Sequence, residues 1–195
     1  MWGNNQKTLR NSIRFTGVGL HSGAKVGLDL EPAEADIGII FKRTDLGNNN
    51  KIIKANFKNV SSARLCTKIE NEFGVSVSTV EHLMAAFYIC GVDNLIVNID
   101  GPEVPIMDGS AKEFVEKIRN CGLKSLNKKR KFIKIIRKSE LKLSDKWISI
   151  EPTNNNLSVK FTLSYENPLI KTQTNSTNFE DKNLEDIYSA RTFCL

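Results

Sequence analysis

The sequence predicts an α+β fold of mostly antiparallel sheet, and three patterns predict it. Alternating apolar and polar runs fill the first third of the chain with no helical period between them. Two amphipathic segments follow, each introduced by a capping-type sequence and closed by a glycine. A basic stretch then leads into a second series of alternating runs that ends in a single helical pattern.

Between residues 8 and 30 one run carries Ile13, Phe15 and Val18 and the next carries Val26, Leu28 and Leu30. They flank a turn at His21-Ser22-Gly23, which reads as a hairpin. Further strands are expected over residues 37–42, 64–69 and 75–78, and the absence of intervening helices points to antiparallel pairing. Ser78-Thr79-Val80-Glu81 fits a capping box, in which the hydroxyl and the carboxylate three residues on satisfy orphan amide protons. It opens a helix with Val80, Leu83, Met84 and Phe87 on its apolar face and Gly91 as the left-handed cap. A strand over 94–99 and a constrained loop, Gly101-Pro102-Glu103-Val104-Pro105, come next. A second capping box, Ser110-Ala111-Lys112-Glu113, starts a helix that buries Phe114, Val115, Ile118 and Cys121 and stops at Gly122.

Residues 124–131 are basic and poor in apolar side chains, as expected of a connector between domains. Strands are expected over 132–136, 146–150 and 157–163, and a polar stretch over 172–178 leads into a helical pattern from Leu184 through Ile187 to Phe193. A sheet covered by one helix is thinly packed, so the expected organisation is a first α+β domain over 1–126 and an incomplete second over 127–195.

A chain of 195 residues with 40% hydrophobic and 26% charged residues has enough apolar surface to fold around a core, which excludes disorder as the default. The net charge of +6 and pI near 9.1 favour an anionic partner. No apolar run reaches the ~18 residues of a membrane span or supplies a secretory core at the start, so a soluble, cytoplasmic protein with at most peripheral membrane contact is expected. The four cysteines, Cys66, Cys90, Cys121 and Cys194, lack C-x-x-C spacing and are expected as reduced, mostly buried thiols.

Histidine limits the available chemistry, because His21 and His82 are the only two. Glu81 and His82 sit side by side in the first turn of a helix, where side chains diverge by about 100° and can flank one small object. A zinc ion with its bound water is such an object, the imidazole ligating and the carboxylate taking a proton. The competing reading is a capping glutamate beside a structural histidine. The glycine-rich turn before His21 lacks the G-x-x-x-x-G-K-[ST] arrangement and precedes a strand, so it is a hairpin turn rather than a triphosphate loop. Lys128-Lys129-Arg130-Lys131 is a solvated connector, and no nucleic acid partner is expected.

Together, Thr16-Gly17-Val18-Gly19-Leu20-His21-Ser22-Gly23, Phe41-Lys42-Arg43-Thr44-Asp45-Leu46, Ser78-Thr79-Val80-Glu81-His82-Leu83, Pro102-Glu103-Val104-Pro105-Ile106-Met107-Asp108-Gly109-Ser110-Ala111 and Ala190-Arg191-Thr192-Phe193 resemble, in order and spacing, the UDP-3-O-acyl-N-acetylglucosamine deacetylases. The resemblance implies two similar two-layer sandwich domains, each a mostly antiparallel sheet with two helices, with the active site between them. It implies zinc-dependent hydrolysis of the acetamide of UDP-3-O-acyl-N-acetylglucosamine in lipid A synthesis. It makes His82 a zinc ligand and Glu81 the general base, places Cys66, Thr192 and Phe193 near substrate, and puts His21 close to the site without making it a necessary ligand. The family completes its zinc site with a His and an Asp of an H-K-x-x-D motif, and a later His is the general acid. No histidine follows His82 here, so the resemblance implies a fragment or a split half. A second polypeptide would then carry the missing ligands. The alternative expectation is a remnant that binds a nucleotide-sugar without catalysis, or an inert stub.

Overall fold

Side-chain alternation in the first third builds the sheet on which the candidate site rests. In the computed structural model, which describes residues 3–47, 50–154, 157–179 and 184–192, the chain forms two compact units. One comprises Trp2–Arg130 with Glu185–Leu195, and the other Lys131–Leu184. The fold is α+β with mostly antiparallel sheet.

The first unit opens with β1 (Asn5–Leu9), then β2 (Ile13–Val18) and β3 (Lys25–Pro32), which pair around the expected turn with Phe15 opposite Leu28. β4 (Ile39–Arg43) and β5 (Ile52–Lys54) form a second antiparallel pair. After a short 3-10 turn at Phe57–Asn59 come β6 (Val60–Ser62), β7 (Lys68–Glu70) and β8 (Ser76–Val77), a small sheet of their own. The strand expected over 64–69 is confined to its last two residues, because Leu65 takes a positive φ of 66° and the chain bends there. α1 (Glu81–Cys90) is followed by β9 (Leu95–Ile99), which inserts between β3 and β4. Its pairing with β4 is parallel, the one departure from the antiparallel expectation in the order β2-β3-β9-β4-β5. α2 (Lys112–Cys121) completes the helical layer.

Both helices stop where expected. Gly91 adopts φ 75° and ψ 35°, a left-handed conformation that residues with a Cβ enter only at a cost of about 1–2 kcal/mol. Neither capping box forms as expected. α1 begins at Glu81 with the apolar Val80 as its N-cap, so no side chain caps it, and the Glu81 carboxylate accepts the Thr67 amide instead of reaching back. At α2 the Ser110 hydroxyl accepts from the Lys112 amide at 3.1 Å, while Glu113 pairs with Lys117 instead of reaching back. The core is continuous. Phe15, Leu28, Leu30, Phe41, Leu83, Phe87, Phe114 and Ile118 are essentially inaccessible, and the Phe15 and Phe114 rings meet at 5.0 Å. Each such side chain stabilises the fold by about 1.5–3 kcal/mol through burial.

The basic segment expected as a connector is instead a strand, β10 (Leu123–Lys129), antiparallel to β1. Its lysines point outward along an exposed ribbon, which is why charge concealed it. Arg130 follows, its guanidinium bonded to Asp93 at 2.6 Å and to the Gly91 carbonyl at 2.9 Å. The short helix α3 (Glu185–Tyr188) packs on α2: the Ala111 amide donates to the Tyr188 carbonyl at 3.0 Å, and Arg119 lies 5.0 Å from the Tyr188 ring. The longer helical pattern expected to Phe193 does not continue past Tyr188, and Phe193 lies outside the described residues.

The second unit holds two hairpins, β11 (Ser139–Leu143) with β12 (Lys146–Ile150), and β13 (Ser158–Ser164) with β14 (Thr172–Asn178). The apolar run 132–136 is not a strand, since it finds no partner backbone. The polar stretch 172–178, not expected as a strand, is β14, held in register by β13 and by threonine hydroxyls such as Thr162 to Thr174 at 2.9 Å. Cys66, Cys90 and Cys121 are free thiols but only half-buried, a correction to the expectation of mostly buried ones, and Cys194 lies outside the described residues. Burial does push the Cys90 thiol up to about 11, leaving it unreactive near neutrality. No helix among the described residues is long and apolar enough to cross a membrane.

Candidate active site

Three loops of the first unit converge on one carboxylate. The hairpin turn is tightened by the Gly19 amide to Ala24 carbonyl bond at 2.9 Å and by Gly23 to Gly19 at 3.0 Å. This turn presents the amides of His21 and Ser22 to Glu103, which accepts from them at 3.0 and 2.7 Å. From the opposite side the Thr79 hydroxyl donates to the same carboxylate at 2.7 Å. Glu103 is only 2% exposed, and a Cβ on Gly19 would lie 2.5 Å from its Oε2, so the turn can press against it only as glycine. Burial raises the Glu103 pKa, but the hydrogen bonds from His21, Ser22 and Thr79 outweigh it and hold the carboxyl below the usual glutamate value.

Ser78 bridges the Glu103 loop in parallel fashion, its amide donating to the Pro102 carbonyl at 2.9 Å and its carbonyl accepting from Val104 at 3.0 Å. Thr79 then turns the chain at φ 57°, an uncommon conformation for a β-branched residue, and α1 starts two residues later. The Glu81 Oε2 accepts the Thr67 amide at 3.0 Å, and the Thr67 carbonyl accepts the Val80 amide at 3.3 Å. The head of α1 is thereby tied to the segment that carries Cys66.

A cavity of about 380 Å³ lies among these loops, lined by His21, Ser22, Arg64, Leu65, Cys66, Ser78, Pro102 and Glu103. It brings together two of the residues singled out from the sequence, His21 and Cys66. Glu81 and His82 are not among its lining residues; Glu81 is tied to the residue next to Cys66 through the Thr67 amide. His82 is half-buried. Thr192 is placed elsewhere in the unit, its amide donating to the Gly109 carbonyl at 2.9 Å. Beside it Arg191 pairs with Asp108 at 3.2 Å, and Asp108 also accepts the Ser110 hydroxyl at 2.6 Å. The Ser110 hydroxyl bond, with Arg191 adding to it, keeps the Asp108 carboxyl below the ordinary aspartate value.

Glu103 went unweighed in the sequence except as part of a motif. A signal existed, since a carboxylate between two prolines in a loop of otherwise apolar residues is a candidate for a buried anchor. Arg64 and Leu65 carry no such signal; the bend that puts them at the cavity is a backbone feature.

The zinc expectation can be tested against these donors. Among the described residues no group of three or more His, Cys, Asp or Glu could hold a metal ion. Zinc sites use three or four protein ligands, so His82 with Glu81 falls short, and the described residues do not by themselves fit a zinc ion.

This α+β chain carries a cavity among its loops, with a carboxylate and an imidazole on adjacent residues at the head of α1. The UDP-3-O-acyl N-acetylglycosamine deacetylase family matches over residues 6–195. The chain is 45% identical over 189 residues to a UDP-3-O-acyl-N-acetylglucosamine deacetylase of Geotalea uraniireducens, which covers 96% of this chain and 61% of the relative. A deacetylase of the same name from Aliivibrio fischeri is 42% identical, with 96% and 62% covered, and one from Pasteurella multocida is 47% identical, with 85% and 53% covered. The chain belongs to the UDP-3-O-acyl N-acetylglycosamine deacetylase family. It spans about three fifths of the length of the curated relatives it matches.

Proposed function

We propose that this chain takes part in the hydrolytic deacetylation of UDP-3-O-acyl-N-acetylglucosamine, yielding UDP-3-O-acyl-glucosamine and acetate in lipid A synthesis in the cytoplasm. The observation that carries the reading is the bond from the Thr67 amide to the Glu81 Oε2, which fixes a carboxylate one residue from the Cys66 wall of the cavity. A carboxylate with one oxygen oriented by a backbone donor has the other free to accept a proton from attacking water, as a general base must. Glu81 acts in that role. Cys66 and His21 border the substrate, and Thr192 with Phe193 contributes a further substrate contact. The excess of positive charge suits the diphosphate.

Zinc enters this reading as the family's cofactor, with His82 the one ligand from these residues and the others supplied by a second polypeptide bearing the His-Lys-x-x-Asp sequence. A histidine of that polypeptide protonates the departing amine. The test is acetate release from the UDP-sugar by the purified chain, with and without that polypeptide, alongside the zinc content of each preparation. Turnover and bound zinc only in the reconstituted pair are expected; a pair that binds the UDP-sugar but releases no acetate would leave a nucleotide-sugar-binding remnant in place of an enzyme.

A further inference from the structure

Glu103 has no part in the proposed chemistry, yet the cavity is built around it. Its carboxylate is buried, and its donors come from two segments far apart in sequence, His21 and Ser22 from one side and Thr79 from the other. Bonds to an ionised acceptor are shorter and stronger than neutral ones. A glutamine in its place would offer one oxygen and direct an NH2 group at N–H donors that need acceptors. The Ser78 bridge to the same loop and the 2.5 Å approach of a hypothetical Gly19 Cβ leave little room for either segment to settle differently.

We infer that Glu103 is a positioning residue: its carboxylate holds the His21-Ser22 turn and the Ser78-Thr79 turn in register across the cavity, so that His21 and the head of α1 bearing Glu81 and His82 move as one body. The inference rests on the deacetylase reading only for the identity of the ligand that the cavity receives. Thr79 is the second half of the device. Its hydroxyl spends its proton on Glu103, which ties the tight turn before α1 to a group outside its own segment.

The test is backbone amide NMR and amide hydrogen exchange on the 195-residue chain, comparing the unsubstituted protein with Glu103→Gln and with the near-isosteric Thr79→Val. In Glu103→Gln the His21 and Ser22 amides should exchange roughly 10-fold faster or more, and the Thr79, Glu81 and His82 resonances should shift with them. Thr79→Val leaves the His21 and Ser22 donors untouched, yet their resonances should move as well, because the carboxylate they share loses its third partner. If each substitution disturbs only its own side of the cavity, Glu103 is a local turn anchor and the inference is overturned. Thr79→Val decides the matter even where Glu103→Gln does not fold. Neither readout requires zinc or turnover, so failure of the deacetylase reading and failure of this inference are separable.

Discussion

The two units of this chain use the same alternating strand pattern to opposite effect. In the unit formed by Trp2–Arg130 and Glu185–Leu195, alternation puts Val26, Leu28 and Leu30 of one strand into a core roofed by two helices. In Lys131–Leu184 the alternation is equally regular, and backbone pairing is complete along both hairpins, but none of its described residues is buried. Leu141, Leu143, Trp147, Phe161 and Leu163 are all exposed. Pairing of strands therefore follows from local sequence, whereas burial requires a second layer. The candidate site lies in the unit that has one, where its loops bond a buried carboxylate, Glu103.

The sharpest way to break this comparison is to remove one aromatic ring from each unit. Phe114→Ala should destabilise the first unit by about 3–5 kcal/mol in chemical denaturation, because its ring is inaccessible and packs on Phe15. Phe161→Ala, in an exposed strand, should change stability by no more than about 0.5 kcal/mol. Equal losses would mean that the second unit is packed in solution. A smaller effect probes the site itself. Gly19→Ala forces a Cβ into the Glu103 carboxylate and should cost about 1–3 kcal/mol, read as a lower Tm, with accelerated exchange at His21 and Ser22.

The smallest effect is in pH dependence. The Glu103 carboxyl is held below its ordinary value in the folded state, so its contribution is present in full above the unfolded glutamate pKa of about 4.3 and is lost as pH falls through the folded value. Between about pH 5 and 3 the unsubstituted chain should therefore lose more stability than Glu103→Gln, whose side chain does not titrate, as measured by denaturation at each pH. Parallel curves would show that the carboxylate is not selectively stabilised by its donors.

Much of the first unit was legible before the structure. The β2–β3 hairpin follows from two alternating runs around a glycine turn, and both helices follow from apolar spacing closed by Gly91 and Gly122. What the sequence hid was whatever depends on a partner distant in the chain. Residues 124–129 read as a connector by charge, yet their backbone finds β1 and their lysines need no cover. Residues 132–136 read as a strand by composition and find no partner. The Ser78 to Glu81 spacing matches a capping box, but the Thr67 amide, supplied by a bend at Leu65, takes the carboxylate instead. At the site, the Glu81-His82 pair was visible as adjacent residues, and the convergence on Glu103 was not, since it exists only once three loops meet.

The claim on which the functional account depends is that Glu81, oriented by Thr67, moves a proton. Its most direct test is acetate release by the reconstituted pair carrying Glu81→Gln, with UDP-sugar affinity measured in parallel. The account predicts a rate lower by about 10²- to 10⁴-fold, with affinity changed by no more than about 3-fold. Turnover within about 3-fold of the unsubstituted pair would contradict it.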